Sequence, residues 1–539
     1  MKTLKTLHDI KDVDYIVVGA GSAGSVVASR LSEDRDKKVL LLEAGADDYF
    51  GITKIPLALQ HTIGKKRFDW CYESEPDPTR NNASELWARG RMPGGSSAIN
   101  GMVFVRGAPR DYDKWCELGN TGWGWDDVLP LFKKMETSAQ TDELLRGKSG
   151  PMNISPLTWR HPLSLDFIKS AESCGIPFRE DINGRHHDGI GWTEGNIFRG
   201  QRQSSYEGYI RPNLKRTNLH VADQVLVKKI LIESGSAKGV IACLDHMNSD
   251  DVTIRARRGV VLCAGAINSP HLLMLSGIGP GQELQQHGIE TLVNSGEVGK
   301  NLMEHPGLHL KAEVTEPTLN KYSSILKSSP EVLRWLLQKK GPFSTQVAQV
   351  LGFCKSHESR DHADIQILLF AYGSSFKNGK RIIPKRNLVT VLLNACYAKS
   401  RGFLRLRSAD PLSSIEIHPE LLSSPDDIQT LIDGMSTLRG ITSAPPFRDK
   451  LISIDGLPST DASNEELTSF LRKNTGPFQH PAGTCRMGKE KSAVVGPDLL
   501  VKGVEKLWVA DSSVFPAPIA GNINATTMMI GEKAAQLID

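Results

Sequence analysis

The chain has no C-x-x-C pair among its eight cysteines, no basic run longer than the four residues Arg255–Arg258, and no apolar stretch suited to a membrane span. Each absence excludes something. Scattered cysteines (Cys71, Cys116, Cys174, Cys243, Cys263, Cys354, Cys396 and Cys485) argue against a structural zinc and a disulfide framework, and suit a reducing, cytoplasmic setting. With 65 basic against 61 acidic residues, the net charge of +4 leaves no stripe for a nucleic acid. Arg255–Arg258 and the QKK at Gln338–Lys340 read as solvated loops. The longest uncharged stretch, Gly259–Gln282, contains Asn268, Ser269, Pro270 and five glycines, which suits a strand, turn and helix in a core. The opening MKTLKTLHDIKDVD lacks an apolar leader segment, so no signal peptide is expected, and the sequons at Asn82, Asn153 and Asn524 read as chance. Aromatic residues make up only 6% of the chain, which leaves few rings for a cage around a quaternary ammonium.

What is present begins at Asp14–Glu43. Tyr15–Val18 is a short, buried-type strand; Gly19, Gly21 and Gly24 form G-x-G-x-x-G; apolar residues then recur at helical spacing to Leu31. Val39–Leu42 is the next strand and Glu43 closes it. Gly19 permits the tight turn, Gly21 lets a pyrophosphate approach the backbone, and Gly24 lets helix and strand pack closely. The helix N-terminus offers N–H groups to phosphate, and Glu43 is placed to accept from ribose hydroxyls. A lone glycine pattern is weak evidence; a complete βαβ unit with its acid predicts a dinucleotide.

Along the chain, Arg89–Trp115 starts with a small, polar half (Gly94, Gly95, Ser96, Ser97, Asn100, Gly101) that lets backbone pass close to a flat or charged ligand, then a strand-like Val103–Val105. Val128–Met135 is expected as a helix capped by Asp126 or Asp127. Tyr206–Asn213, Leu219–Val227, Gly239–Leu244, Val252–Ile254 and Val260–Cys263 read as strands, and Ser269–Leu275 as a helix with Pro270 in its first turn. From about Leu310 to Thr475 alternating segments (Ile365–Phe370, Leu388–Leu393, Leu404–Arg407) mix with helical ones (Pro330–Leu337, Asp427–Arg439), which predicts an antiparallel sheet with helices on one side. The strand of Gly503–Asp511 is expected to rejoin the N-terminal sheet, and Gly521–Leu537 to form a turn and helix.

Five segments, in order, resemble the glucose–methanol–choline oxidoreductase family of flavoproteins: GAGSAG with Glu43, Arg89–Trp115, GAINSPHLLMLSGIGP (Gly265–Pro280), VGKNLMEHP (Val298–Pro306), and the pair HPAGTCRMG and GNINA around His480 and Asn522. The asparagine in GNINA is similar to the choline-dehydrogenase-like and bacterial alcohol-dehydrogenase branch. The resemblance implies an α/β fold, with a discontinuous Rossmann-like FAD-binding domain (1–155, 201–310, 478–539) and an α+β substrate domain (156–200, 311–477). It implies FAD held by Gly19, Gly21, Ser22, Gly24, Glu43 and Ala44. Val225 and Ala264 would lie beside the adenine. Arg91, Gly94, Gly95, Ser96, Asn100, Gly101, Met102 and Val103 would line the isoalloxazine side, with Asp511, Asn524 and Thr527 completing the ring site. Some members attach FAD to a histidine in the second segment; Ile99 stands at that position, which implies non-covalent FAD.

The family reaction moves a hydride from an alcohol carbon to flavin N5 while a base takes the hydroxyl proton and a fixed donor meets the developing alkoxide. By resemblance His480 is the base and Asn522 the donor. Histidine pairs elsewhere (His186-His187, and His305 with His309) have no evident third ligand, so no metal is expected, and Cys485 reads as a small core residue. The expected activity is oxidation of a primary alcohol to an aldehyde, passing electrons to oxygen or to a quinone or other carrier. Alternatives are a lyase that splits cyanohydrins without net redox change, a choline-specific dehydrogenase and a non-catalytic flavin-binding protein. A monomer or homodimer with no integral membrane segment is expected.

Overall fold

The computed structural model describes residues 13–48, 51–244, 251–323, 325–377 and 380–538. The leader reading rests on the first fourteen residues, of which 1–12 lie outside that set.

One sheet grows from Val13–Val18, every residue of which is buried. This strand pairs in parallel with Val39–Leu42 on one side and with the end of Val252–Leu262 on the other (Ile16 opposite Val260). Leu219–Ala222 and Leu507–Val509 extend the parallel part outward, so strands from both ends of the chain share one sheet. Such strands are sealed on both faces, and their unbroken Val/Leu/Ile content reflects that. Val252–Ile254 and Val260–Cys263 are parts of one long strand, Val252–Leu262. Its first half pairs antiparallel with Ser236–Leu244, which pairs with Val225–Glu233.

The second sheet is antiparallel, in the order Leu451–Ile454, Pro306–Val314, Leu388–Ala395, Ile365–Phe370, Ala348–Cys354, Gly189–Trp192, with Thr475–Pro477 also on Pro306–Val314. Its alternation sorts the faces. Ile365, Ile367 and Leu369 pack with Leu431, Met435 and Leu438 of helix Pro425–Ser443 and Phe167 of helix Pro162–Ser173. Leu368 and Leu392 point the other way, toward Val103, Val105 and Ala520 beside the first sheet. The fold is therefore a Rossmann-like α/β domain plus a second domain with an antiparallel sheet covered by helices on one side.

Several local expectations are corrected. Tyr206–Asn213 is helical, a π turn (Tyr206–Ile210) running into a 3-10 turn (Arg211–Asn213), where Glu207 and Arg211 pair four residues apart at 2.9 Å. Val103–Val105 makes only a bridge from Val103 to Gly195. Its backbone is tied instead by the Asn183 amide, which accepts from the Arg106 N–H (2.9 Å) and donates to the Phe104 carbonyl (3.1 Å). Asp126 and Asp127 sit in the first turn of helix Trp125–Met135, and Asp127 reaches back to the Gly124 N–H at 3.0 Å. Helix Gly265–Leu275 starts earlier than expected and carries Pro270 inside. Proline has no N–H for the carbonyl of Ala266, and the Thr484 hydroxyl donates to that oxygen at 2.6 Å.

Candidate active site

A cavity of about 600 Å³ runs between the two sheets, from Glu43 and Val225 at one end to His480 and Asn522 at the other. Gly19, Gly21, Ser22, Ala44, Arg91, Gly95, Ser96, Asn100, Gly101, Met102, Val103, Ala264, Asp511, Asn524 and Thr527 also line it. Gly24 and Gly94 do not; they stand behind the wall. A Cβ on Gly24 would sit 1.9 Å from the Gly19 carbonyl oxygen, and the Gly94 N–H donates to the Ala20 carbonyl at 2.8 Å. These two glycines shape the loops that others present.

The N-terminus of helix Ser22–Leu31 opens on this cavity with no acid in its first turn. Its partial positive charge and N–H groups suit an anion. A Cβ on Gly21 would meet no protein atom closer than 3.9 Å, so the space beside it belongs to the cavity, whereas Gly19, with φ +98°, lies 2.6 Å from the Cys263 carbonyl oxygen by the same test. Helices Gly265–Leu275 and Asn524–Ile538 also begin at the wall. Asn524 accepts from the Ser22 hydroxyl at 2.7 Å, so the last helix meets the first at the phosphate-type end. Asp511 is held by the Gly265 N–H (2.8 Å), the Ser269 hydroxyl (2.5 Å) and the Ser513 N–H (2.8 Å), which opposes the upward push of burial on its pKa.

Glu43 is buried, which pushes its pKa up to about 7 against hydrogen bonds from Gly45 and Ala20 and the charge of Arg91. Its oxygens each accept one backbone N–H (3.0 Å from Ala20, 2.9 Å from Gly45) and keep lone pairs for further hydroxyl donors. A phosphate cradle, an acid for a diol and open glycine at Gly101 fit an adenine dinucleotide stretched along the cavity.

At the far end, the Asn522 amide nitrogen lies 3.0 Å from His480 Nε2, and His480 Nδ1 lies 3.0 Å from His305 Nδ1. Burial lowers both pKa values: His305 to about 4, against bonds to Ile519 and Cys396 carbonyls, and His480 well below the ordinary histidine value, helped by the nearby His305 and Arg89. Both rings are therefore neutral near pH 7. The hydrogen bonds then have one consistent direction. His305 Nε2 faces the Ile519 carbonyl at 3.0 Å, which only accepts, so this nitrogen carries the proton. His305 Nδ1 then accepts from His480 Nδ1–H, which leaves His480 Nε2 with a lone pair facing Asn522. The Asn522 amide donates to it, and its oxygen accepts from Gln366 Nε2 at 3.2 Å. Gln366 Oε1 in turn accepts from Asn394 Nδ2 at 2.8 Å. One backbone carbonyl thus orders five side chains. Glu304 lies under the same turn and accepts the His480 backbone N–H at 2.8 Å. Arg89 reaches the Gln479 carbonyl at 2.9 Å.

Sequence reasoning missed Gln366 and Asn394, which face each other on adjacent strands and are fully buried. It weighed His305 only as a metal ligand. Among the described residues no group of three or more His, Cys, Asp or Glu is placed to hold an ion. It also missed Tyr72, whose hydroxyl meets Asn268 at 2.6 Å on the wall, and the apolar lining near His480: Val347, Leu368, Phe370, Leu392 and Phe478. Cys485 is fully buried and its thiol is pushed well up.

A model of the GMC oxidoreductase family matches residues 13–307 with its N-terminal part and 398–531 with its C-terminal part. Among curated proteins, an "Alcohol dehydrogenase [acceptor]" of Pseudomonas putida is 36% identical over 532 residues, covering 97% of this chain and 95% of that one. An "Oxygen-dependent choline dehydrogenase" of Rhizobium etli is 37% identical over 529 residues, covering 97% and 95%. Among solved structures, pyridoxine 4-oxidase from Mesorbium loti superposes with a TM-score of 0.88 at 28% identity, covering 97% of this chain and 98% of that one. A formate oxidase variant of Aspergillus oryzae, studied for FAD modification, gives 0.90 at 27% identity, covering 98% of each.

Proposed function

The chain belongs to the GMC oxidoreductase family of FAD-binding enzymes, and from that premise we propose that it oxidises a neutral primary alcohol to the aldehyde, with His480 as base and Asn522 as donor to the alcohol oxygen. The observation that carries the reading is the hydrogen-bond chain from the Ile519 carbonyl through His305 and His480 to Asn522, which sets His480 Nε2 on the cavity wall. We divide the site between a FAD-binding part (1–155, 201–310, 478–539) and a substrate part (156–200, 311–477), with strand Pro306–Val314 crossing the boundary at 310.

Gly19, Gly21, Ser22 and Asn524 would hold the pyrophosphate, Glu43 the ribose, Val225 and Ala264 the adenine, and the loop from Arg91 to Val103 the ring end. Bound there, FAD would supply the acceptor for the hydride of the alcohol carbon. It would be held without a covalent bond at position 99, where Ile99 offers no nucleophile. His480 Nε2 takes the hydroxyl proton. The imidazolium that results is met at Nδ1 by the His305 lone pair, which accepts without competing for the new proton. Asn522, with its oxygen held by Gln366, can turn its N–H only toward His480 and the alcohol oxygen, so it steadies the alkoxide as charge develops.

Around this pair Val347, Leu368, Phe370, Leu392 and Phe478 are apolar and Arg89 adds a positive charge, while the carboxylates that line the cavity among the described residues, Glu43 and Asp511, are engaged by backbone and hydroxyl donors. That favours a neutral aliphatic or aryl alcohol over choline, whose cation requires a carboxylate beside its rings. The names of the relatives leave oxygen and another carrier as acceptors. The test is an anaerobic screen of primary alcohols, choline and cyanohydrins against the FAD-loaded protein, followed by air. Bleaching by neutral alcohols supports the reading, and rapid return of colour with peroxide identifies an oxidase. Turnover of a cyanohydrin with the flavin left oxidised would replace it with the lyase, and bleaching by choline alone would replace the substrate class.

A further inference from the structure

Helix Ile325–Gln338 is amphipathic, yet it is turned outward. Leu333, Leu336 and Leu337 are 56%, 55% and 74% exposed, while on the opposite side Trp335 is buried and donates to the Gly200 carbonyl at 2.8 Å. Three leucines spaced three and four residues apart form one continuous face, and a water-facing helix would place polar residues there. Phe198, 42% exposed, lies on the strand that ends beside Gly200, with Arg199 over its ring. Other exposed leucines, such as Leu144, stand away from this helix and are ordinary.

The charge around the leucines is mostly positive. Arg334 and Lys340 are exposed on or just beyond the helix, Lys339 lies over Trp335 at 3.7 Å, and the single acid from residue 325 to 345, Glu331, is near Arg334 at 3.7 Å. The helix also connects, through two turns, to the part of the cavity wall that reaches the surface at exposed Lys66. It touches the turns Leu319–Ser323 and Pro342–Ser344, and the latter contacts Pro56–His61. Leu59 and Ile63 of that region line the cavity and share a small apolar cluster with Leu319 and Tyr322. Exposed Lys65, Lys66 and Arg67 follow at once, and Lys66 is itself on the cavity wall.

We propose that this leucine face and its basic surround form a docking surface for an anionic lipid bilayer, which brings that part of the cavity wall to the membrane. Leucines set among lysines and arginines bury in the headgroup boundary while the cations meet anionic lipid. A second copy of the chain is disfavoured: a twofold contact would bring two predominantly basic faces together, and three leucines cover less than a stable interface requires. No described helix is long and apolar enough to cross a membrane, so the attachment is peripheral. The proposal does not rest on the reaction assigned above.

The test is flotation of the FAD-loaded full chain with phosphatidylcholine vesicles, with and without one-third phosphatidylglycerol. Expected is binding to the anionic vesicles that weakens with salt and falls at least about tenfold in Leu333→Ser/Leu336→Ser/Leu337→Ser and in Lys339→Glu/Lys340→Glu. Leu144→Ser should bind as the parent does, and all variants should keep their spectrum and their rate of reduction by a water-soluble alcohol. Absence of vesicle binding, binding unchanged in the triple-serine variant, or a concentration-dependent dimer that the triple variant abolishes without any vesicle binding would each overturn the proposal.

Discussion

Replacing Gln366 with leucine tests whether the direction of the hydrogen-bond chain matters for catalysis. Gln366 is fully buried, does not line the cavity, and gives its amide nitrogen to Asn522 Oδ1 at 3.2 Å while accepting from Asn394 at 2.8 Å. In Gln366→Leu the Asn522 oxygen loses its donor, at a cost of about 1–3 kcal/mol for a buried unpaired acceptor. The lone pair of His480 Nε2 still favours the original orientation by about 1 kcal/mol, the net worth of one neutral hydrogen bond. Turning the amide would only set its NH2 against the leucine in place of the oxygen and lose the bond to His480, so the original orientation persists, but the amide is then steadied by one bond instead of two and aims its N–H less closely at the alcohol oxygen. Full loss of a donor to a developing oxyanion costs about 10²–10³ in rate, so a donor that stays in place but is loosely aimed predicts a fall of about 3- to 10-fold in the rate of flavin reduction. KM should change little, because Gln366 lies outside the substrate wall. The assay is anaerobic reduction by a primary alcohol in the parent, Gln366→Leu, Asn522→Ala and the double variant. If the account is right, the leucine adds almost nothing once Asn522 is gone. Reduction at the parental rate, or the same fold loss on both backgrounds, would refute it.

Three other outcomes follow from the geometry. Because burial holds His480 well below the ordinary histidine pKa, the base is already unprotonated at neutral pH. The reduction rate should be flat above about pH 6.5 and fall only in acid, as the proton returns to Nε2; a rate that climbs between neutral and alkaline pH would contradict the assignment. Gly21→Val should fold, since its Cβ meets nothing closer than 3.9 Å, and emerge from gel filtration with little flavin, whereas Gly24→Ala, with a Cβ 1.9 Å from the Gly19 carbonyl oxygen, should not yield folded protein. Burial holds the Glu43 pKa near 7, and only the ionised carboxylate offers both oxygens to a diol. FAD affinity of the stripped protein should therefore rise with pH through that value, which a fluorescence titration would show.

What could be read in the sequence was local. The strand, glycine turn, helix and acid of Asp14–Glu43 are contiguous, so spacing alone specifies Ser22–Leu31 as helix and Val39–Leu42 as strand, and both bounds match the structure. The antiparallel character of the second sheet was legible in alternation, but which face each strand turns to the cavity was not. Gln366 sits in IQILLF and Asn394 in VLLNA, where a lone polar residue in an apolar strand reads as an irregularity until register places the two side by side. The role of His305 is not legible in the sequence because its partner, His480, is 175 residues away. Tyr206–Asn213 has the aromatic and aliphatic content of a strand, yet the Glu207–Arg211 pair four residues apart and Pro212 suit a helical turn better. Pro270 was assigned to a first turn because the hydroxyl that replaces its missing hydrogen bond comes from Thr484, far along the chain.

The central claim is that this chain takes a hydride and a proton from an alcohol, the proton at His480. Anaerobic mixing of the FAD-loaded protein with a primary alcohol, followed by visible spectroscopy, tests it most directly. The account predicts that the parent bleaches and that His480→Ala, with the same flavin content, bleaches at least about 10²-fold more slowly. Bleaching at the parental rate in His480→Ala, or no bleaching by any primary alcohol, would contradict it.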